Sequence, residues 1–225
     1  MMMTLMSRAW FQIRLAAARL FADSSGIAAT EFAVIVPVML VMFFGTVEFS
    51  SGVAVNRKVT LISRTLSDLT SQAATTTPGV WWAPVTDTYL QNVFTASIAI
   101  LTPYVANPGT TMQLSEIYVD TSGVAKISWS KAATIGAGAS QATLATSTRT
   151  AGDVVTSLVP SALLVHQTYL IFSEVNYVYI PVGIGYIMKA NVTMTDVSYS
   201  RPRQVTCLVY NSHPNVNPSN TCPMT

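Results

Sequence analysis

The chain has 225 residues, of which 50% are hydrophobic and 10% are charged. Soluble globular domains contain about 25% charged residues, so this composition disfavours a purely cytosolic enzyme, and the mean hydropathy of +0.43 agrees. The length allows one membrane segment and one domain with its own core. The net charge is only +2, and the Lys and Arg residues are scattered along the chain rather than clustered. Both properties argue against nucleic-acid binding.

A basic leader is predicted over residues 1–26, followed by a membrane-spanning helix over residues 27–47. The charged residues of the leader are Arg8, Arg14, Arg19 and Asp23, and the positive-inside bias places them in the cytoplasm. The segment after the leader is apolar except for Thr30, Glu31 and Thr46. It is long enough to cross a hydrocarbon core of about 30 Å.

A cleaved secretory signal is the main alternative to a retained span. Its apolar region would be shorter, roughly 7 to 15 residues, and would end in small residues of the A-x-A type. Here the apolar run is longer and continues into Glu48 and Phe49 without such a site. We therefore predict that the mature protein keeps the helix.

The two cysteines, Cys207 and Cys222, lie near the C-terminus with Pro and Asn residues between them. This pattern favours a disulfide that closes a loop in an oxidising compartment, with two free thiols as the alternative. Arg57, Lys58 and Arg64 follow the span and nearly balance the leader, so charge does not decide the orientation. The expected disulfide does, because it places the C-terminal part outside the cytoplasm.

The membrane helix is predicted to continue over residues 48–76. Apolar residues recur there at alternating spacings of four and three, which places them on one side of a helix. They are Val55, Val59, Ile62, Leu66, Leu69 and Ala73. Pro78 and Gly79 then end the helix. This apolar seam packs either against the chain's own domain or against neighbouring subunits, and both alternatives stay open.

Residues 80–225 are predicted to form a mostly β domain, because short runs rich in Thr, Ser and Val alternate with Gly and Pro. The candidate strands are Thr95–Leu101, Met112–Val119, Ala125–Ser130, Tyr169–Ile180 and Ile187–Ser200. Alternation within the fourth predicts Val175, Tyr177 and Tyr179 on one face. The fold class is therefore α+β: a long transmembrane helix extended into a packing helix, then a mostly antiparallel β domain.

Several parts of this domain have two interpretations. A short helix is expected over Ser157–Val165, and residues 134–150 suit an exposed loop or an edge hairpin. Residues 162–188 are apolar enough to suggest a second span, but they include His166, Gln167 and Glu174, which favours a buried strand. Trp81 and Trp82 either anchor the junction with the helix or fill the core.

Catalytic and metal-binding motifs are absent from the sequence. The two histidines, His166 and His213, have no Cys or carboxylate at ligand-like spacing. There is no G-x-S-x-G elbow, phosphate-binding Gly loop or evident nucleophile and base pair. We predict no enzymatic activity, no cofactor and no metal.

Glu31 is the residue that a simple membrane anchor does not explain. A carboxylate in the apolar part of a span costs several kcal/mol unless it pairs or titrates, so it indicates a function by default. The alternative is that it lies near the interface and reaches water, since it comes only four residues after Ile27.

The segment around Glu31 resembles a type IV prepilin. The basic leader ends in Gly26, Ile27 is then the first residue and Glu31 the fifth, followed by Phe32 and a long apolar helix. More narrowly, the stretch from Gly26 to Ser50, with Pro37 and the sequence GTVEF, is similar to TadE/TadG-like minor pilins and pseudopilins of the tight-adherence (Flp) pilus system. Phe172–Pro181 and Ser198–Arg203 resemble the later part of such chains more weakly. The metal-site motifs of TadG-like members are not found.

The resemblance implies a pilin-like fold and a structural role. A prepilin peptidase would cut after Gly26 on the cytoplasmic side of the bacterial inner membrane, leaving the β domain in the periplasm. Glu31 would pair with the new amino group of Ile27 within the subunit or on a neighbour, and Pro37 would kink the helix. The implied partners are the prepilin peptidase, other major and minor pilins, the inner-membrane assembly platform and membrane lipid.

Two other functions stay open. One is a pilus-tip adhesin or membrane-anchored binding module, in which residues 80–225 contact a surface or ligand. The other is an envelope enzyme tethered by an uncleaved helix, which no motif supports.

Overall fold

The computed structural model describes residues 25–75, 78–104, 110–181, 191–210 and 222. The chain divides into two compact units, Met1–Phe49 and Ser50–Thr225. The described part of the first is a long apolar helix, and the second is built on a mostly antiparallel sheet. The predicted α+β fold class is confirmed. Most of the predicted leader lies outside the described residues.

Helix α1 extends without interruption from Ser25 to Ser71 and includes Pro37. A bend at Pro37 remains a prediction. The helix ends at Ser71, five residues before the predicted end at residue 76. The amides of Gln72 and Ala73 close its last turn with bonds of the three-residue type. The backbone N–H of Arg203 donates to the Ser71 carbonyl at 2.9 Å and satisfies one of the free acceptors at this helix end.

The remaining elements follow in chain order. They are β1 (Trp82–Val85), α2 (Asp87–Leu101), β2 (Thr111–Val119), β3 (Ala125–Thr134), β4 (Thr143–Ala145), a 3-10 turn (Ser161–Leu163), β5 (Thr168–Tyr179), β6 (Val192–Ser200) and β7 (Cys207–Tyr210). The larger sheet has the order β4-β3-β2-β5-β6 with every pair antiparallel, and β1 pairs with β7 in parallel.

Four of the five candidate strands are confirmed, as β2, β3, β5 and the described part of β6. Residues 187–190 of the last candidate lie outside the described residues. In β5, Val175, Tyr177 and Tyr179 are buried and the residues between them are less so, as alternation predicted. Strand β5 occupies residues 168–179 of the range that suggested a second membrane span, and residues 182–188 of that range lie outside the described residues.

The predicted strand Thr95–Leu101 is wrong, because these residues form the second half of α2. The Thr86 hydroxyl accepts a hydrogen bond from the Tyr89 amide at 3.2 Å and caps the helix start. The buried residues recur at helical spacing: Leu90, Val93, Phe94, Ser97 and Leu101. This periodicity and the cap outweigh the local preference of Thr95, Ile98 and Ile100 for strands.

The two segments with open or partial predictions, residues 134–150 and Ser157–Val165, form only short elements. Residues 134–150 include β4, which pairs with Ala132–Thr134 at one edge of the sheet, in agreement with the edge alternative. The expected helix over Ser157–Val165 is reduced to the 3-10 turn at Ser161–Leu163.

Both faces of the larger sheet are covered. On one face, Leu114 and Ile171 pack with the residues of α1 beyond Ser50 and with Leu90 and Phe94 of α2. On the other face, a smaller cluster includes Ile117, Ile127, Leu170, Phe172 and Val155. Because both faces are covered, every residue of β2 after Thr111 is buried.

Candidate functional site

The first half of α1 exposes nearly all of its apolar side chains. Phe32 is 69% exposed and Val41 and Phe49 are both 73% exposed. Among the described residues, α1 is the one helix long and apolar enough to cross a membrane, and none of its most apolar window is buried. A continuous apolar surface of this kind requires lipid or other apolar helices to cover it.

Glu31 lies one turn after Ile27 in this part of α1, so the two residues share a helix face. Helical side chains point back towards the N-terminus, which directs the Glu31 carboxylate towards the start of the helix. Within the described part of the chain, Glu31 makes no salt bridge. Its geometry suits a cation at the backbone nitrogen of Ile27.

The two threonine hydroxyls of this segment are satisfied within the helix. The Thr30 hydroxyl donates to the Ile27 carbonyl, and the Thr46 hydroxyl donates to the Met42 carbonyl, both at 2.8 Å. Such internal bonds remove the cost of placing a hydroxyl in hydrocarbon. Glu31 therefore remains the polar side chain near the helix start whose burial requires an external partner or water.

The second half of α1 is docked on its own domain. Val55 and Val59 are fully buried, and Ile62 and Leu66 are 1% exposed. These residues belong to the same core cluster as Leu114. Of the two alternatives for the apolar seam, the structure therefore shows packing within the chain.

Lys58 fixes α1 to the end of α2. Its ammonium group donates to the carbonyl oxygens of Ile100 and Thr102, both at 2.6 Å, and lies 5.7 Å from the centre of the Tyr104 ring. The last carbonyls of a helix lack partners and carry partial negative charge, so a cation stabilises them. No sequence pattern identified this role, because Lys58 and Thr102 are distant in sequence.

The C-terminal turns of α1 are held by polar contacts to β5, β6 and the segment after them. The Ser67 hydroxyl donates to the Ser198 hydroxyl at 2.9 Å, and the Arg203 guanidinium pairs with Asp68. The Ser198–Arg203 segment, which showed a weaker resemblance to TadE/TadG-like chains, thus contacts the C-terminal end of α1.

The predicted disulfide between Cys207 and Cys222 is present, with 5.8 Å between the two Cα atoms. Cys207 is fully buried beside Tyr118, Tyr169 and Val209. Residues 211–221 lie outside the described residues. The bond therefore ties strand β7 to the C-terminal end of the chain.

The tryptophan pair is divided between surface and interior. Trp82 begins β1 and packs partly against the cluster around Cys207, whereas Trp81 is 67% exposed. The core interpretation is therefore correct only for Trp82.

Glu116 is a buried carboxyl group that no sequence motif identified. It is fully buried on β2, and its Oε1 accepts a hydrogen bond from the Leu208 amide at 2.6 Å. Its Oε2 is buried without a hydrogen-bond partner. Burial raises the pKa of Glu116 to about 8, against the lowering effect of hydrogen bonds from Leu208 and Trp129.

A cleft of about 610 Å³ opens beside β3 and β4 and is lined by Asp87, Lys131, Arg149 and Tyr210, among others. The Lys131 ammonium lies 3.6 Å from Asp87 Oδ1 and 4.5 Å from the centre of the Tyr210 ring. The Tyr210 hydroxyl donates to Asp87. These polar groups are engaged with one another.

The histidines remain separate from any metal-like cluster. Among the residues that the structure describes, no three His, Cys, Asp or Glu side chains come together as a metal site would require. His213 lies outside the described residues.

The comparisons with known proteins concern α1. The family model of the TadE-like protein matches residues 26–66, which is less than half of the chain. No curated protein matches the chain. No solved structure matches it either.

The matched range begins at Gly26, contains Glu31, Phe32 and Pro37, and continues into the half of α1 that docks on the domain. The resemblance predicted from the residues is therefore confirmed for this segment. Over residues 26–66 the chain is therefore similar to the TadE-like family.

Proposed function

We propose that the protein is a minor pilin or pseudopilin that takes part in the assembly or initiation of a tight-adherence pilus. The observation that carries this proposal is the division of α1 into two halves. The half up to Phe49 exposes apolar side chains on all sides. The half after Ser50 packs its apolar residues into the core of the domain. Only the first half is free to contact lipid before assembly and the helices of other pilins after it.

Membrane insertion comes before assembly in this proposal. The first half of α1 crosses the bacterial inner membrane, with the leader in the cytoplasm and the β domain in the periplasm. The disulfide supports this orientation, because such bonds persist in oxidising compartments. The partners are membrane lipid, a prepilin peptidase, the other pilins and the inner-membrane assembly platform.

Processing creates the partner of Glu31. Cleavage after Gly26 leaves a positively charged amino group on Ile27, at the end of the helix to which the Glu31 carboxylate points. In a helix bundle of low dielectric, the pair offsets part of the desolvation of both charges and fixes the axial position of the subunit. The amino group belongs either to the same subunit or to a neighbour.

Cleavage also changes the charge of the chain. The leader contains three arginines and one aspartate, so its removal takes the side-chain balance from +2 to 0. The lost basic residues are the ones that hold the N-terminus at the cytoplasmic face. Their removal makes extraction of the helix into a fibre easier.

The N-terminus of the mature chain tests the processing step. Mass spectrometry of protein from cells with an active prepilin peptidase should find a chain that starts at Ile27. Gly26→Leu should abolish this product, while Gly45→Leu serves as the matched control. Neither glycine has a neighbouring atom within 4 Å of an added Cβ, so a clash within the chain does not explain a difference. An intact leader in the unaltered protein would overturn the proposal.

The alternative function, a pilus-tip adhesin or membrane-anchored binding module, requires a different test. Deleting residues 80–225 would uncover the buried seam at Val59 and Ile62, so the deletion would confuse unfolding with loss of binding. Lys131→Ala in the cleft leaves the seam intact. Normal fibres that no longer attach would favour the adhesin, whereas unchanged attachment would leave the assembly role as the better account.

A further inference from the structure

Strand β7 is attached to the larger sheet by two side chains that hydrogen-bond the backbone of one residue, Leu208. The Leu208 amide donates to Glu116 Oε1 at 2.6 Å, and the Trp129 indole N–H donates to the Leu208 carbonyl at 2.9 Å. Glu116 and Trp129 are direct cross-strand partners on β2 and β3. The pair therefore binds both polar groups of the Leu208 residue from the adjacent face of the sheet.

The contact is sealed from water. Glu116, Cys207 and Leu208 are fully buried, and Trp129 is nearly so. Tyr118 and Tyr169 lie beside this site, with their ring centres 4.9 Å apart. The free Glu116 oxygen thus lies in the protein interior rather than at the surface.

The titratable groups around the carboxyl do not stabilise its charge. From β5, Tyr169 faces it, and burial together with the charge of Glu116 raises the Tyr169 pKa. From β3 and β7, the groups that act on Glu116 are the Trp129 indole and the Leu208 amide, which are uncharged. Lys131, the basic residue two positions after Trp129, is paired with Asp87 instead. No described basic side chain is paired with Glu116.

We propose that Glu116 makes the attachment of the β1–β7 pair to the larger sheet dependent on pH, with the neutral carboxyl holding β7 in place and its ionisation releasing it. Ionisation places a negative charge in the interior without a basic partner, which is costly. Opening the contact to water removes that cost.

The direction of the pH dependence follows from proton binding. The carboxyl is neutral in the closed state up to about pH 8, and in the open state it ionises near the ordinary value of 4.5. Between these limits the closed state holds one more proton than the open state. The opening equilibrium therefore increases about tenfold for each pH unit across that window.

Hydrogen exchange on the full-length protein in nanodiscs tests this proposal. Protection factors, corrected for intrinsic exchange, are measured for the Leu208 region and for the middle of β5 between about pH 5.5 and 7.5, where the expected loss at Leu208 is about 100-fold. Glu116→Gln keeps the shape and an acceptor oxygen but does not ionise. It should show protection at Leu208 that is independent of pH.

Three results would overturn the proposal. They are protection at Leu208 that does not change with pH in the unaltered protein, an equal change in Glu116→Gln, and protection at Leu208 as high as in β5, which would indicate global rather than local opening. If Glu116→Gln does not fold, the comparison of Leu208 with β5 in the unaltered protein decides by itself. Tyr169→Phe provides a second variant, which should retain the pH dependence because the carboxyl remains.

Discussion

The ammonium group of Lys58 on α1 lies 2.6 Å from the carbonyl oxygen of Thr102, directly after the end of α2. One charge thereby joins the helix that carries the TadE-like segment to the domain behind it. Lys58→Met should lower the free energy of unfolding of the domain by about 2 kcal/mol, since hydrogen bonds to charged groups contribute about 1.5–3 kcal/mol. Denaturant unfolding in detergent measures the change. Arg57→Met is the matched control, because Arg57 is the exposed neighbour; equal losses in both variants would contradict the assigned contact.

The buried seam of α1 can be separated from its exposed face by two adjacent residues. Ile62 is 1% exposed and Leu61 is 52% exposed. Ile62→Ala should destabilise the domain by about 2–5 kcal/mol through lost burial and a residual cavity. Leu61→Ala should change stability by less than about 0.5 kcal/mol. Similar values for the two variants would mean that this part of α1 does not pack as described.

Glu31→Ala should leave processing after Gly26 largely intact and reduce the number of assembled fibres. In the proposed function, the cut depends on the leader and Gly26, whereas assembly depends on a partner for the amino group of Ile27. Counting fibres by electron microscopy beside mass spectrometry of the N-terminus measures both steps. Thr30→Val is the control, since the Thr30 hydroxyl bonds only within its own turn. Normal fibre numbers in Glu31→Ala would remove the pairing role.

The stability of the domain should fall as pH rises from about 5 to about 8, because Glu116 is neutral in the folded protein and ionised in the unfolded chain across this range. The loss amounts to a few kcal/mol in order of magnitude and levels off above about pH 8. Glu116→Gln should remove this component. Unfolding curves for both proteins at matched pH values supply the test, and parallel pH profiles would exclude Glu116 as the cause.

Replacing both cysteines with serine should lower the free energy of unfolding by about 2–4 kcal/mol, mainly because the unfolded chain gains freedom over the closed loop. The sequence separation of Cys207 and Cys222 is 15 residues, which sets the expected size. A reducing agent should have the same effect on the unaltered protein and none on the double variant. A stability that is insensitive to both changes would show that the bond does not constrain the unfolded chain.

The pattern of apolar residues predicted an element correctly where a single requirement, such as burial of one face, shaped the local sequence. The apolar run after Gly26 predicted the half of α1 that is long and apolar enough to cross a membrane, and Glu31 at the fifth position carried the resemblance to the family whose model matches residues 26–66. Alternation at Val175, Tyr177 and Tyr179 identified β5 and its buried face correctly. The same approach failed at Thr95–Leu101, where strand preference was local but the Thr86 cap and helical spacing favoured α2.

By itself the sequence determined which segments are apolar, where the helix begins to be suited to a membrane, and where Glu31 lies relative to Gly26, because these properties depend on neighbouring residues alone. Tertiary structure decided that the seam at Val59 and Ile62 belongs to the core, that Lys58 meets the end of α2, and that Glu116 is enclosed with Leu208. Each of these contacts joins residues distant in the chain, so its free energy arises only when the fold brings the partners together and removes water from between them.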